Sequence, residues 1–440
     1  MKYSQFNSII PYGNKFVLYN TLERKFIFLE PELKNILFHE MQEGIDKLIN
    51  IHPDFYNYLS KNSFLVRDDI DEVEKVKKIV YSIDENKKKY DLTINPTVNC
   101  NFKCWYCYET HIKQSKMDED IINKVNRFIL KTAQNKELEE FNIAFFGGEP
   151  LLYFEKNVIP ITDEFVPIMK NFNKQFTIGF TTNGYLINEK IINYFNNKQL
   201  KPHFHITLDG YCENHDKVRF VNKAKGSYST IISNIKKLVE NEMFVRVRIN
   251  YTDENIEDTY KIADDLSTIE KEIAKKYILI DFHRVWQNNK LDDIDIIVDR
   301  NIELIRKKGL NAKNSKYLND TVRGSCYADK RNSAVINFNG DIFKCTSRDF
   351  TTEKREGFLN DEGEIVWENN ALERRMNTKF NNPPCLVCRL LPICNGACSQ
   401  IALENSGKRD YCIHSFIEKG KDKVIEAMVN VLLIHENETA

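Results

Sequence analysis

The stretch Asp91-Leu-Thr-Ile-Asn95-Pro-Thr-Val-Asn-Cys100-Asn-Phe-Lys-Cys104-Trp-Tyr-Cys107 decides how this chain of 440 residues is organised. Asp91–Asn95 reads as a short strand, and three cysteines follow it on one loop. Thiols placed this closely by the chain itself are soft metal donors. The remaining cysteines agree with that reading. Eleven is an odd number, so disulfides cannot consume them all. Seven (Cys326, Cys345, Cys385, Cys388, Cys394, Cys398 and Cys412) crowd the last third, with Cys212 alone between the groups. The 63 basic and 64 acidic residues leave a net charge of −1, which gives no cationic surplus for nucleic acid or an anionic membrane. No apolar run approaches the ~18 residues of a membrane span. The first residues, Met1–Gln5, lack the apolar core of a secretory signal. The expectation is a cytoplasmic protein with neither nucleic acid nor membrane as partner.

Outward from Asp91, strand and helix patterns alternate. The strands are expected at Asp91–Asn95, Phe141–Phe146, Phe176–Thr181, Phe204–Leu208, Val245–Asn250 and Tyr277–Val285. Amphipathic stretches are expected at Asp118–Thr132, Asn188–Phe195, Tyr228–Glu240, Asn255–Glu272 and Asp292–Lys308. Such alternation implies βαβ units on a parallel sheet. Six units fall short of the eight of a closed barrel, so the fold class is α/β with a partial, open (β/α)6 barrel over residues 89–310. Buried parallel strands normally read as continuous apolar runs. Here His203, His205, Thr207 and Asp209 share one face, as do Arg246, Arg248 and Asn250, and Asp281 and His283. A polar face on three strands predicts a wet, ligand-sized interior. His203, His205, Asp281 and His283 are candidate substrate contacts or proton acceptors, or simply satisfied interior polar groups. Residues 1–88 carry a different texture: a hairpin at Phe16–Tyr19 and Lys25–Leu29, helices at Pro31–Gln42, Asp54–Ser60 and Glu72–Lys87, and a strand at Phe64–Val66. Residues 311–440 read as a loop-rich segment that metal would hold together.

By spacing alone, the triad Cys100, Cys104 and Cys107 allows a zinc knuckle with a distant fourth ligand as well as three corners of an iron–sulfur cubane. Its context resembles the radical S-adenosylmethionine (SAM) enzymes. The C-x3-C-x2-C loop has an aromatic, Tyr106, before its last cysteine and follows the first barrel strand. Gly147-Gly148-Glu149-Pro150 ends the second strand. The resemblance implies a [4Fe–4S] cluster on Cys100, Cys104 and Cys107, with one iron left open for SAM. It implies that Gly147, Gly148, Glu149 and Pro150 receive the methionine amino group. Thr182 and Asn183, within Thr181-Thr182-Asn183-Gly184, would contact ribose or methionine. Asp209 in Leu208-Asp209-Gly210 and Arg219 would follow, with Arg219 pairing to the SAM carboxylate, and Asn250 is a further candidate. Each of these segments also has a plain reading as a turn or an ion pair.

The order Cys326, Gly340-Asp-Ile-Phe-Lys-Cys345, Cys385-x2-Cys388-x5-Cys394-x3-Cys398, Cys412 resembles the seven-cysteine SPASM pattern. The resemblance implies one or two auxiliary iron–sulfur clusters: Cys385, Cys388, Cys394 and Cys412 closing one, and Cys326, Cys345 and Cys398 holding another that is a ligand short. Cys212 is left over and reads as an ordinary buried thiol.

SPASM enzymes mostly modify peptides or proteins, so the expected function is maturation of a ribosomally made (RiPP) precursor peptide. A 5′-deoxyadenosyl radical would take a hydrogen atom from the substrate and a cross-link or other side-chain change would follow. Residues 1–88 resemble a winged-helix-like peptide-recognition element that captures a leader peptide by strand addition. The implied partners are that precursor and an electron donor such as flavodoxin or ferredoxin. Two alternatives stand beside this. Anaerobic sulfatase maturation is disfavoured because its cysteine loop starts near the N-terminus and because Thr346, not Asp, follows Cys345. A non-catalytic iron–sulfur electron-transfer protein leaves Gly147–Pro150 and Arg219 unexplained.

Overall fold

In a computed structural model the described residues are 1–222, 225–287, 294–314, 322–396, 398–407, 412 and 418–439. They fall into two compact units. One comprises Met1–Asn86, Tyr317–Arg331 and Glu373–Ala440, the other Lys87–Lys316 and Asn332–Leu372. The stretch 311–440 therefore divides between the units.

In the first unit, β1 (Asn7–Tyr12), β2 (Lys15–Asn20) and β3 (Lys25–Leu29) form an antiparallel sheet in that order. β1 is not apparent from the sequence, because Pro11 sits inside it and proline donates nothing to a ladder. Helices Pro31–Glu43, Pro53–Lys61 and Glu72–Asp84 follow. The last is started by Asp71, whose side chain accepts from the Glu74 N–H at 2.9 Å and satisfies one orphan donor of the first turn. The helix Glu418–Thr439 packs on β1, and its Val424, Ile425 and Val429 join Ile10 and Val17 in one apolar cluster.

The second unit is built on the six expected strands: β4 (Lys89–Ile94), β5 (Glu140–Phe145), β6 (Gln175–Thr182), β7 (His203–Leu208), β8 (Val245–Tyr251) and β9 (Ile278–Arg284). All pair in parallel with their sequential neighbours. Two features extend this core. β10 (Asn311–Asn314) adds in parallel beside β9, and β11 (Ser333–Ile336) adds in parallel beside β4. β12 (Asp341–Phe343), β13 (Gly357–Leu359) and β14 (Ile365–Trp367) continue antiparallel from β11. The segment after Cys326 is thus partly sheet. Its strands span only three or four residues each, too short for a two-residue period to register.

The helix Glu119–Ala133 covers the β4–β5 crossover. Asp118 caps it, accepting from Ile121 N–H at 2.9 Å. Ile122, Val125, Phe128, Ile129 and Ala133 form its buried stripe, at about 1.5–3 kcal/mol for each large side chain buried. One helix had no counterpart among the expected elements, and one expectation is corrected. Ile159–Asn171 is a helix despite Pro160 and Pro167. Pro160 lies in the first turn, where its missing donor is not needed, and Pro167 costs one interior bond. Asn255–Glu272 is not one helix but short turns at Thr259–Lys261 and Ile262–Asp265, with a separate helix at Lys271–Tyr277. Of the stretch 292–308, residues 292 and 293 lie outside the described ones, and the helix runs Ile294–Lys307. Among the described residues no helix is long and apolar enough to cross a membrane.

Candidate active site

The C-terminal ends of β4 to β9 surround a cavity of about 400 Å³. All three cysteines of the first loop line it, with Gly147, Gly148, Thr182, Asn183, Arg219 and Asn250. Seven residues or more from five different strand ends therefore meet where the sequence placed one site. Glu149, Pro150 and Asp209 do not line the cavity, and the geometry explains what they do instead.

Gly147 and Gly148 have φ of +77° and +46°. A Cβ on Gly147 would lie 2.7 Å from Asn95 Cβ, and one on Gly148 only 2.1 Å from the Asn99 carbonyl oxygen. Two glycines are therefore needed to lay this backbone against the start of the cysteine loop. The Gly148 N–H donates to Glu109 at 2.7 Å, and the Glu149 N–H donates to Asn99 O at 2.9 Å. Glu149 is fully buried. Its Oε1 accepts from Leu151 N–H at 3.0 Å and the Thr182 hydroxyl at 2.8 Å, and its Oε2 from Asn183 N–H at 2.8 Å. This carboxylate ties the end of β6 to the end of β5, and so sets Thr182 and Asn183 on the wall. Glu149→Gln keeps one acceptor but turns an NH2 towards a buried donor. It is expected to cost about 1–3 kcal/mol, read as a lower thermal unfolding midpoint of the ligand-free protein.

Asp209, Arg219 and Asn250 meet at Tyr106. The Tyr106 hydroxyl hydrogen-bonds to Asp209 Oδ1 and accepts from Arg219 Nη2 at 2.8 Å and Asn250 Nδ2 at 3.0 Å. Arg219 Nε pairs with Asp209 Oδ2. The buried Asp209 thus neutralises Arg219 and aims it, and one guanidinium edge is already taken before any ligand arrives. Burial pushes the Cys100 thiol up to about 12 and the Cys107 thiol to about 11, and raises Cys104 as well. Such thiols stay protonated until a metal displaces the proton.

Several lining residues carried no sequence signal of their own: Glu109, His111, Arg284, Trp286 and Gln287. His111 Nε2 lies 3.5 Å from Cys107 Sγ, and Gln287 donates to the Tyr106 carbonyl at 2.7 Å. Arg284 shares the phase of Ile280 and Phe282 and was not marked by alternation, whereas Arg248 stands on a strand whose polar face was legible, so alternation was its signal. On the same face Asp281 is buried beside His283, with 3.2 Å between Oδ2 and Nε2, while His203 and His205 face open space. Burial, with Arg246 and His203 nearby, pulls the His205 pKa down to about 4, so its ring is neutral at pH 7.

Of the later cysteines, Cys345 belongs to the barrel unit, and Cys326, Cys385, Cys388, Cys394, Cys398 and Cys412 to the other. Burial pushes the Cys394 thiol up to about 12, and Cys385, Cys388 and Cys412 add to the rise. Cys212 is half-buried at the start of the helix Cys212–Val218. Among the described residues no three Cys, His, Asp or Glu side chains meet at the spacing of a single metal ion. In a cubane each thiolate takes its own iron, so the requirement is a shared loop rather than a shared point.

Comparison with known proteins follows the same line. The radical SAM superfamily model matches residues 94–266. A cysteine-type anaerobic sulfatase-maturating enzyme of Clostridium novyi is 33% identical over 185 residues, covering 40% of this chain and 48% of that protein. The radical SAM cyclopropyl synthase TigE of Paramaledivibacter caminithermalis is 23% identical over 380 residues, covering 78% of this chain and 76% of that one. Streptococcus suis SuiB bound to S-adenosylmethionine superposes with a TM-score of 0.52 at 18% identity, over 94% of this chain and all of that one. SuiB bound to its precursor peptide SuiA gives the same score over 93% and 97%. The chain thus spans about half the length of the first of these relatives and three quarters of the second. Radical SAM proteins work with a [4Fe–4S] cluster and SAM. Three soft thiols on one loop, beside a backbone cradle that a single Cβ would fill, fit that pair. The matched segment runs from the end of β4 past β8, so residues 94–266 carry the radical SAM domain, on a fold that SuiB also has.

Proposed function

We propose that this chain is a radical SAM maturase of a ribosomally made precursor peptide, with Cys100, Cys104 and Cys107 holding the [4Fe–4S] cluster. When bound, the cluster and SAM supply a 5′-deoxyadenosyl radical that takes a hydrogen atom from the substrate. The chain's own residues do the rest. Gly147 and Gly148 offer close backbone to the methionine end of SAM. Thr182 and Asn183, fixed by Glu149, stand where its ribose or methionine lies. Arg219, aimed by Asp209 and Tyr106, presents its remaining edge to the carboxylate, with Asn250 beside it. The barrel encloses the reacting atoms and limits water. Cys385, Cys388, Cys394 and Cys412 hold a closed auxiliary cluster.

The observation that favours a peptide substrate is the free edge of β3. The other edge of this sheet, β1, carries Pro11, whose missing N–H blocks strand addition, while the helix Glu418–Thr439 packs on a face of the sheet. Among the described residues β3 pairs with no strand beyond β2, and it is the edge at which a leader peptide would add as a fourth strand. Phe28→Pro removes an outward-facing donor there, because Phe28 lies opposite Val17, whose backbone groups bond to β1, whereas Ile27 turns its own N–H inward to Leu18. It is expected to lower precursor binding by about tenfold or more while leaving 5′-deoxyadenosine formation from SAM intact. Co-expression with a short precursor encoded nearby, followed by mass spectrometry, tests the reading itself. A mass shift in the precursor supports it. An unmodified precursor, with a sulfatase Cys or Ser converted to formylglycine instead, would move the chain to the sulfatase maturases, which the Clostridium novyi relative favours.

A further inference from the structure

The cavity wall carries more positive charge than SAM neutralises. Arg219, Arg248, Arg284 and Arg348 line it, and among the described residues Glu109 is the one carboxylate that does. Arg219 is matched by Asp209, Arg348 donates to the Ser347 carbonyl at 2.6 Å, and Arg284 has other contacts. Arg248 stands apart. It lies at the centre of β8, level with Thr207 on β7 and Asp281 on β9, with its side chain open to the cavity. Its Nε donates to Asn250 Oδ1 at 2.9 Å, and it makes no ion pair among the described residues. The nearest acid on this face, Asp281, is already shared by His283 at 3.2 Å, Arg246 at 3.9 Å and Lys313 at 4.0 Å. Arg248 therefore faces the cavity without a full charge partner among the described residues. SAM brings a sulfonium and an ammonium against a single carboxylate. It adds net positive charge to this wall.

We propose that Arg248 anchors a carboxylate of the peptide, so that the substrate presents an Asp or Glu side chain at or beside the residue that loses hydrogen. A guanidinium with both Nη groups available matches a carboxylate in bidentate fashion, and enclosure strengthens that pair relative to water. The inference rests on the peptide reading given above and names the chemistry of its substrate. SAM's own carboxylate is the other source of the same group.

The test is anaerobic calorimetry on the reconstituted full chain. Ac-Ala-Asp-Ala-NH2, its Glu counterpart and its Asn counterpart are titrated in the presence of SAM, and SAM is titrated separately. The acidic tripeptides are expected to bind about tenfold tighter than the Asn one. Arg248→Gln should abolish that preference and change SAM affinity less than about twofold, whereas Arg248→Lys, which keeps the charge, should retain part of the preference. Equal binding of acidic and amide tripeptides by the unmodified chain overturns the proposal. So does an Arg248→Gln variant that keeps the preference but loses SAM about tenfold, since the carboxylate would then be SAM's. Release of 5′-deoxyadenosine from dithionite-reduced protein separates the two levels. If it is made and the preference is absent, only the assignment of Arg248 fails. If it is not made, the radical SAM reading of the cavity fails with it.

Discussion

Cys104→Ala will release no 5′-deoxyadenosine above background from reconstituted, dithionite-reduced protein, while Cys388→Ala will still release it. The two cysteines differ in what surrounds them. Cys104 lines the barrel cavity with Cys100 and Cys107, within electrostatic reach of Arg219 and Asp209. On the proposed assignment Cys100, Cys104 and Cys107 are the three protein ligands, and removing one would leave a cluster that the loop cannot retain and cost the electron for SAM cleavage. The expected fall is on the order of 10³-fold or more, the scale on which removing one member of a cooperating set abolishes turnover. Cys388 belongs with Cys385, Cys394 and Cys412 in the other compact unit. Its loss should reduce bound iron by about four atoms per chain and spare SAM cleavage. Iron analysis and chromatography of the nucleoside read the two effects independently. Equal loss of nucleoside in both variants would remove the division between radical and auxiliary clusters.

The second large effect is expected at a site that is not part of the cavity. Lys379 is 4% exposed and pairs with Asp84, 3% exposed, and with Asp329, 5% exposed, at 3.1 Å for the latter. Ser325 donates to Asp84 Oδ1 at 2.5 Å, and the Ser399 hydroxyl bonds to Asp329 Oδ1 while accepting from Arg375 Nη1 at 3.0 Å. This network joins the neighbours of two cluster cysteines. Ser325 precedes Cys326, Ser399 follows Cys398, and the Asp329 N–H donates to the Cys326 carbonyl at 2.9 Å. Burial raises the Asp84 pKa, and the Lys379 charge is the main term opposing that rise. Lys379→Met leaves two buried carboxyls without their cation. It should destabilise the unit by about 3–5 kcal/mol, the range for breaking a buried pair from one side. Denaturant unfolding of the ligand-free protein measures it. Adding Asp84→Asn and Asp329→Asn should recover much of the loss, because the uncompensated charges go with it. A single variant as stable as the unmodified chain would show that the three groups are not charged together.

The sequence carried the six barrel strands because each is a run of six to eight residues, apolar or alternating, readable without its neighbours. It carried Gly147 and Gly148 for a similar reason, since a left-handed turn is written in the residue type. It did not carry the strands at Ser333–Ile336 and Asp341–Phe343, which are held by pairing with β4 and with each other rather than by local pattern. The helix Ile159–Asn171 was hidden by two prolines that its packing tolerates. The role of Glu149 was also out of reach. A Gly-Gly-Glu-Pro motif shows a carboxylate, and only the fold shows that it faces Asn183 and Thr182 rather than the cavity.

By itself the sequence determined the chemistry on offer: three thiols on one loop, seven more at SPASM-like spacings, and a polar face on three consecutive strands. These depend on residues near one another along the chain, where spacing fixes geometry. The tertiary structure decided which of those groups face one another. Tyr106, Asp209, Arg219 and Asn250 are separated by up to 144 residues and meet at one hydroxyl. Arg248 acquires its meaning from what the barrel places around it. Among the described residues it makes no ion pair, and no local pattern records what a distant strand places opposite it.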